Sequence, residues 1–102
     1  MPQKIAKFMK IFSNPLRVKI IFTLQDGMEK TVNQLVVELG AKQCYVSQQL
    51  LYLTGKGILA RRKNSHYVYY SLKSQDVINL LELAGMELKA NEEAAEMQLA
   101  VR

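Results

Sequence analysis

Two short stretches of this chain hold most of the side chains able to do directed chemistry. Gln43-Cys44-Tyr45-Val46-Ser47-Gln48-Gln49-Leu50 offers amides, hydroxyls and a thiol, and Arg61-Arg62-Lys63 with nearby His66 offers cations. Gln, Ser and Tyr can hydrogen-bond base edges or phosphates, while Arg and Lys neutralise phosphate charge. On a helix advancing about 100° per residue, Val46, Leu50 and Leu53 make one apolar stripe. Cys44 and Gln48 then lie near the centre of the opposite face, Tyr45, Ser47 and Tyr52 flank it, and Gln43 stands at the exposed N-terminal end. No acidic residue occurs between Ala41 and Ala60, where a carboxylate would repel a polyanion. These residues are the candidate contacts to double-stranded DNA: Gln43, Cys44, Tyr45, Ser47, Gln48 and Tyr52 from a reading helix, Arg61, Arg62, Lys63 and His66 from a basic hairpin.

Other chemistries find little support. Ser13 and Ser47 have no nearby His base, so nucleophilic catalysis is not expected. Gly55-Lys56-Gly57 is too short for a phosphate loop and follows a helix where such a loop would open one. One cysteine and one histidine, 22 positions apart, cannot build a soft-metal or zinc centre. No enzyme activity, cofactor or metal is expected. Cys44 lies at a helix start near Lys42, a setting that favours oxidation of a thiol, and oxidation would place a polar group in the reading face.

The elements that must position these residues follow from periodicity and caps. Ile5, Phe8, Met9 and Phe12 recur at i, i+3, i+4 and i+7, which predicts a helix over about residues 3–12. Asn14 is the expected N-cap of a second helix with Pro15 at its first position. That helix, about residues 16–25, is apolar around most of its circumference and should be central. Thr31-Val32-Asn33-Gln34 matches a capping box, opening a third helix that Gly40 stops. The fourth helix runs over about residues 43–54. Period-two character over 58–63 and 66–72, with a turn at Asn64-Ser65, predicts a β-hairpin. Ser74 and Asp76 then begin a last helix carrying Val77, Leu80, Leu81, Ala84 and Leu88. A capped helix, a short turn, a second helix and a basic hairpin describe a winged helix-turn-helix, a mainly α fold of about five helices with a two-stranded wing.

The chain has 102 residues, enough for one domain, here expected over 1–88 with a helical extension or frayed tail over 89–102. A 49% hydrophobic share can fill a core. No apolar run approaches the roughly 20 residues of a membrane span, and the first residues lack the apolar region of a secretory signal, so a cytoplasmic protein without membrane contact is expected. The net charge of +5 is divided unevenly: residues 1–75 carry +9 and residues 76–102 carry −4. A basic body with an acidic end suits a polyanionic partner.

Phe12-Ser13-Asn14-Pro15-Leu16-Arg17, the segment 43–50 quoted above, and Tyr67-Val68-Tyr69-Tyr70-Ser71-Leu72 together resemble the arsenic-repressor (ArsR/SmtB) family. The resemblance covers about residues 8–84 in that family's order and spacing. It implies a homodimeric repressor that binds a palindromic operator and leaves it when a signal arrives. It also implies a dimer built by the first and last helices, here through Ile5, Phe8, Met9, Phe12, Val77, Leu80, Leu81, Ala84 and Leu88. The family's metal positions are not kept: its thiolate motif would fall on Thr31 and Asn33, and Ile78 stands where its last-helix site has a histidine. Two other readings compete with a DNA-binding regulator. One is a winged-helix module that docks an acidic protein, the other a metal sensor with unusual ligands such as Glu82, Glu87 and Glu92.

Overall fold

The computed structural model describes residues 2–85, so Leu88 and the extension expected over 89–102 lie outside the described residues. The first helix, α1 (Pro2–Lys10), has its apolar side chains on one face and buries none of them. A 3-10 turn (Ile11–Ser13) follows it, in place of the last α-helical residues that periodicity predicts, and carries Ile11 into the core. Asn14 is extended (φ −106°, ψ 120°), and its Oδ1 accepts the Leu16 N–H at 2.9 Å. With Pro15 already holding a helical φ, this launches α2 (Pro15–Thr23). Ile20, Ile21 and Leu24 are then wholly buried, so α2 runs through the centre of the molecule.

Thr31 opens α3 (Val32–Leu39) with the reciprocal cap its sequence predicts. Its hydroxyl accepts the Gln34 N–H, and the Gln34 side chain accepts the Thr31 N–H at 2.8 Å. Gly40 ends α3 in the left-handed conformation at φ 63°, donating its N–H to the Val36 carbonyl at 2.9 Å. A two-residue step leads into α4 (Gln43–Gly55). Val46, Leu50 and Leu53 of α4 are fully buried against Leu35 of α3 and the α2 residues, forming the core that seats the helix. Burying each such side chain stabilises by about 1.5–3 kcal/mol.

The wing consists of β1 (Leu59–Asn64) and β2 (Tyr67–Leu72), antiparallel, with Arg61 opposite Tyr70, Arg62 opposite Tyr69 and Lys63 opposite Val68. The turn falls on Ser65-His66, one residue later than the sequence predicts, with Ser65 at φ 59°. Tyr70 faces inward, 5% exposed, and Leu59 is buried beside it. A feature without any sequence signal ties the wing to the body: Lys30, just before α3, exchanges both backbone hydrogen bonds with Tyr70, at 2.9 and 2.8 Å. A last helix, α5, spans residues 76–85. Ser74 Oγ accepts the Asp76 N–H at 3.2 Å where it begins, and Val77 and Ile78 join the core.

Candidate nucleic-acid interface

Seating Val46, Leu50 and Leu53 inward turns the other side of α4 outward. Gln43, Cys44, Tyr45 and Gln48 are exposed, Tyr45 to 54%, and Ser47 and Tyr52 are half-buried at the edges of that face. Lys42 precedes α4 without a side-chain cap, leaving the first N–H groups of the helix open to an incoming acceptor. Leu51, 61% exposed, shares the outward face at i+3 from Gln48. Wheel arithmetic places it there, but its apolar type gave no reason to single it out. An exposed aliphatic group among donors is what contact with a thymine methyl requires.

On the wing, Arg61, Arg62, Lys63 and His66 are all exposed. Their positions differ in freedom. Arg62 Nε donates to Glu29 Oε2 at 2.8 Å, and its guanidinium lies 4.9 Å from the centre of the Tyr69 ring. The Arg62 hydrogen bond holds the Glu29 carboxyl below the usual carboxylate range, and the same contact raises Arg62. Arg61 and Lys63 have no acidic partner among the described residues. The start of α4 and the wing tip also converge. Gln43, His66 and Tyr67 line one cleft of about 200 Å³ with Thr31, Val32, Asn33 and Val68. A larger, open hollow of about 350 Å³ on α3, lined by Asn33, Gln34, Val37 and Glu38, contains none of the expected DNA contacts.

Lys30 is basic but already committed within the chain. Its ammonium donates to Glu38 at 3.0 Å and the Thr23 carbonyl at 3.1 Å, and lies 3.5 Å from Asp26. Glu38, chiefly, raises its proton affinity. The Met28 N–H, assisted by Lys30, holds the Asp26 carboxyl below its usual range. All three carboxylates of residues 1–75 are therefore paired with Lys30 or Arg62. The remaining cations of the body have no acidic partner among the described residues, and most of them, Arg61 and Lys63 included, are exposed.

The residues expected to join two copies are placed unevenly. Ile5 is 62% exposed and Met9 51%, while Phe8 meets Phe12 edge to face at 5.2 Å, with Phe12 half-buried against the core. On α5, Leu80 is half-buried and Ala84 exposed. Val77 is placed differently from the sequence reading: it packs in the core of its own chain, 9% exposed, with Ile78 and Leu81 beside it on the inward side. Leu83, 60% exposed and not among the expected residues, takes an outward position between Leu80 and Ala84. Among the described residues, no three His, Cys, Asp or Glu side chains gather where they could hold a metal ion. No described helix is long and apolar enough to cross a membrane.

An outward polar helix, seated by a short turn on a capped partner helix and flanked by a basic hairpin, defines a winged helix-turn-helix protein. Comparison with known proteins gives the family. No family model matches the chain. The biofilm growth-associated repressor of Xylella fastidiosa is 33% identical in an alignment of 81 positions that covers 76% of this chain and 70% of that protein. The crystal structure of Rv0081 from Mycobacterium tuberculosis superposes with a TM-score of 0.80 at 27% identity, covering 90% of this chain and 92% of the other. The solution structure of Mb0332 from Mycobacterium bovis, described as a homodimeric winged helix-turn-helix DNA-binding domain, has the same fold at 24% identity, with a TM-score of 0.72 and 85% and 80% coverage. The chain belongs to the ArsR/SmtB-type winged-helix transcriptional regulators.

Proposed function

We propose that the protein is a cytoplasmic homodimeric repressor that binds a palindromic operator and is released by a signal still to be identified. Its action is binding and release, with no catalytic step. The observation that carries the DNA assignment is the division of α4. Val46, Leu50 and Leu53 are wholly buried, while Gln43, Cys44, Tyr45 and Gln48 are exposed, and Gln43 lines one cleft with His66 of the wing, on which Arg61 and Lys63 are also exposed. The basic residues set the register on phosphates, and the α4 side chains read base edges in the major groove. Support for a dimer comes from α1, which buries no side chain in its own chain, and from the homodimeric Mb0332 domain of like fold. Two copies would engage half-sites one helical turn, roughly 34–36 Å, apart.

Selection from random duplexes, followed by sequencing and by sizing of the complex, tests this reading. The expected product is an inverted repeat bound by two chains, with log K falling about 0.9 per neutralised phosphate as log salt rises. Recovery of no enriched sequence would sink it.

A further inference from the structure

Arg17 has no place in the expected DNA face, yet it contacts three residues on two other elements of the body. Its Nε donates to Gln49 Oε1 at 2.7 Å, and a terminal N–H donates to the Ile11 carbonyl at 3.4 Å. Its guanidinium carbon lies 3.7 Å from the centre of the Tyr52 ring. Gln49 and Tyr52 are three positions apart on α4 and so share one side of that helix. Ile11 belongs to the 3-10 turn that directly follows α1. One half-buried side chain on α2 thus touches both the reading helix and the turn that follows the helix with the unburied apolar face. A guanidinium suits this position because its planar fork donates in fixed directions while its face stacks on an aromatic ring.

We propose that Arg17 is a positioning residue for operator recognition. It holds α4 at a set angle to α1, so that two chains joined through α1 present their reading helices at one spacing. The proposal rests on the dimeric DNA-binding reading above. Arg17 is turned toward groups of its own chain, so its loss removes no phosphate contact. It loosens α4 against α1 and lets wrongly spaced half-sites bind.

The test uses the full chain and duplexes carrying the selected half-sites with the central spacer lengthened or shortened by one or two base pairs. Arg17→Gln and Arg17→Lys are compared with the parent, each first shown to be folded by thermal melting. Gln49→Leu, which leaves the Arg17–Tyr52 stack intact, carries the test if the Arg17 variants do not fold. The parent should prefer one spacer. Each variant should lose about tenfold of that preference, equivalent to about 1.4 kcal/mol, with an unchanged salt slope. Lysine should not rescue it, because it keeps the charge but lacks the fork. Parental spacer preference in the variants would overturn the positioning role. So would rescue by lysine together with a salt slope lower by about 0.9 in Arg17→Gln, the mark of a phosphate contact. Failure of the parent itself to select two half-sites would overturn the dimeric reading, and this proposal with it.

Discussion

Arg62, an expected phosphate contact, already has partners within its own chain. Free of DNA, it pairs with Glu29 at 2.8 Å and lies against Tyr69. A phosphate engaging Arg62 would displace or share that carboxylate, and an exposed pair of this kind resists little. Arg62→Ala should weaken binding to all sequences alike and lower the salt slope by about 0.9. Gln48→Ala should instead relax specificity, costing about 1–3 kcal/mol on the selected sequence and leaving the slope intact. Titrations of both variants on selected and scrambled duplexes separate these outcomes. If each loses specificity to the same degree, the division between phosphate and base contacts is wrong. Glu29 adds a pH signature. Its carboxyl is depressed in the folded chain, chiefly by the Arg62 hydrogen bond, so its contribution is present above its unfolded value and lost as pH falls through the folded one. Urea melts at stepped pH should find the parent more stable than Glu29→Gln at neutrality, with the gap closing in acid. A gap that stays constant into acid would show that ionisation of Glu29 contributes nothing. Asp26 follows the same sign, whereas Lys30, raised by Glu38, loses its contribution only in strong alkali.

At the scale of elements, what was legible in the sequence is what neighbouring residues decide. Asn14-Pro15 and Thr31 through Gln34 announced their helices because each cap is closed within four residues. The α4 stripe was equally plain, since Val46, Leu50 and Leu53 need only a periodicity. The hairpin was legible as a hairpin, but its turn moved from Asn64-Ser65 to Ser65-His66, because strand register depends on pairing across the chain and on which residue takes positive φ. The Lys30–Tyr70 bridge left no trace at all: one residue has no period, and its partner is 40 positions away. Arg17 was visible as part of a family segment, yet its contacts with Ile11, Gln49 and Tyr52 exist only after folding. Likewise Val77 and Leu83 differ in burial because α5 meets the core on one side, which an all-round apolar helix does not reveal. The cap of α3 provides a test at this scale. Gly40 has φ 63°, and a Cβ added there would meet no atom within 4 Å. Gly40→Ala should therefore act through backbone strain alone, lowering stability by about 1–2 kcal/mol. A urea midpoint at fixed protein concentration measures this, and no loss would mean the cap had shifted.

For the whole molecule, cations are spread over several elements, with Lys4, Lys7 and Lys10 on α1 as well as Arg61, Arg62 and Lys63 on the wing. The +9 of residues 1–75 is offset within those residues only by carboxylates already paired with Lys30 and Arg62, which leaves the α4 and wing side available to a polyanion. Exposed apolar groups include Ile5 and Met9 on α1, both more than half exposed, and Leu83 on α5, 60% exposed, besides Val37 on α3 and Leu51 on α4. If α1 joins two chains, its exposed side chains act on DNA affinity without approaching DNA. Met9→Glu makes the argument measurable. A substitution at a site this exposed ordinarily changes the stability of a lone chain by no more than about 0.5 kcal/mol. Within a dimer interface it places an unpaired charge against apolar groups, so light scattering should find single chains at concentrations where the parent is paired. Each chain then engages only one half-site, and affinity for the two-half-site duplex should fall by about 10²–10⁴, the advantage that linkage of two binding units confers. Binding to an isolated half-site should be unchanged, because α4 and the wing are untouched. That pattern separates a lost dimer from a damaged reading face, and a paired Met9→Glu protein with full affinity would remove α1 from the interface.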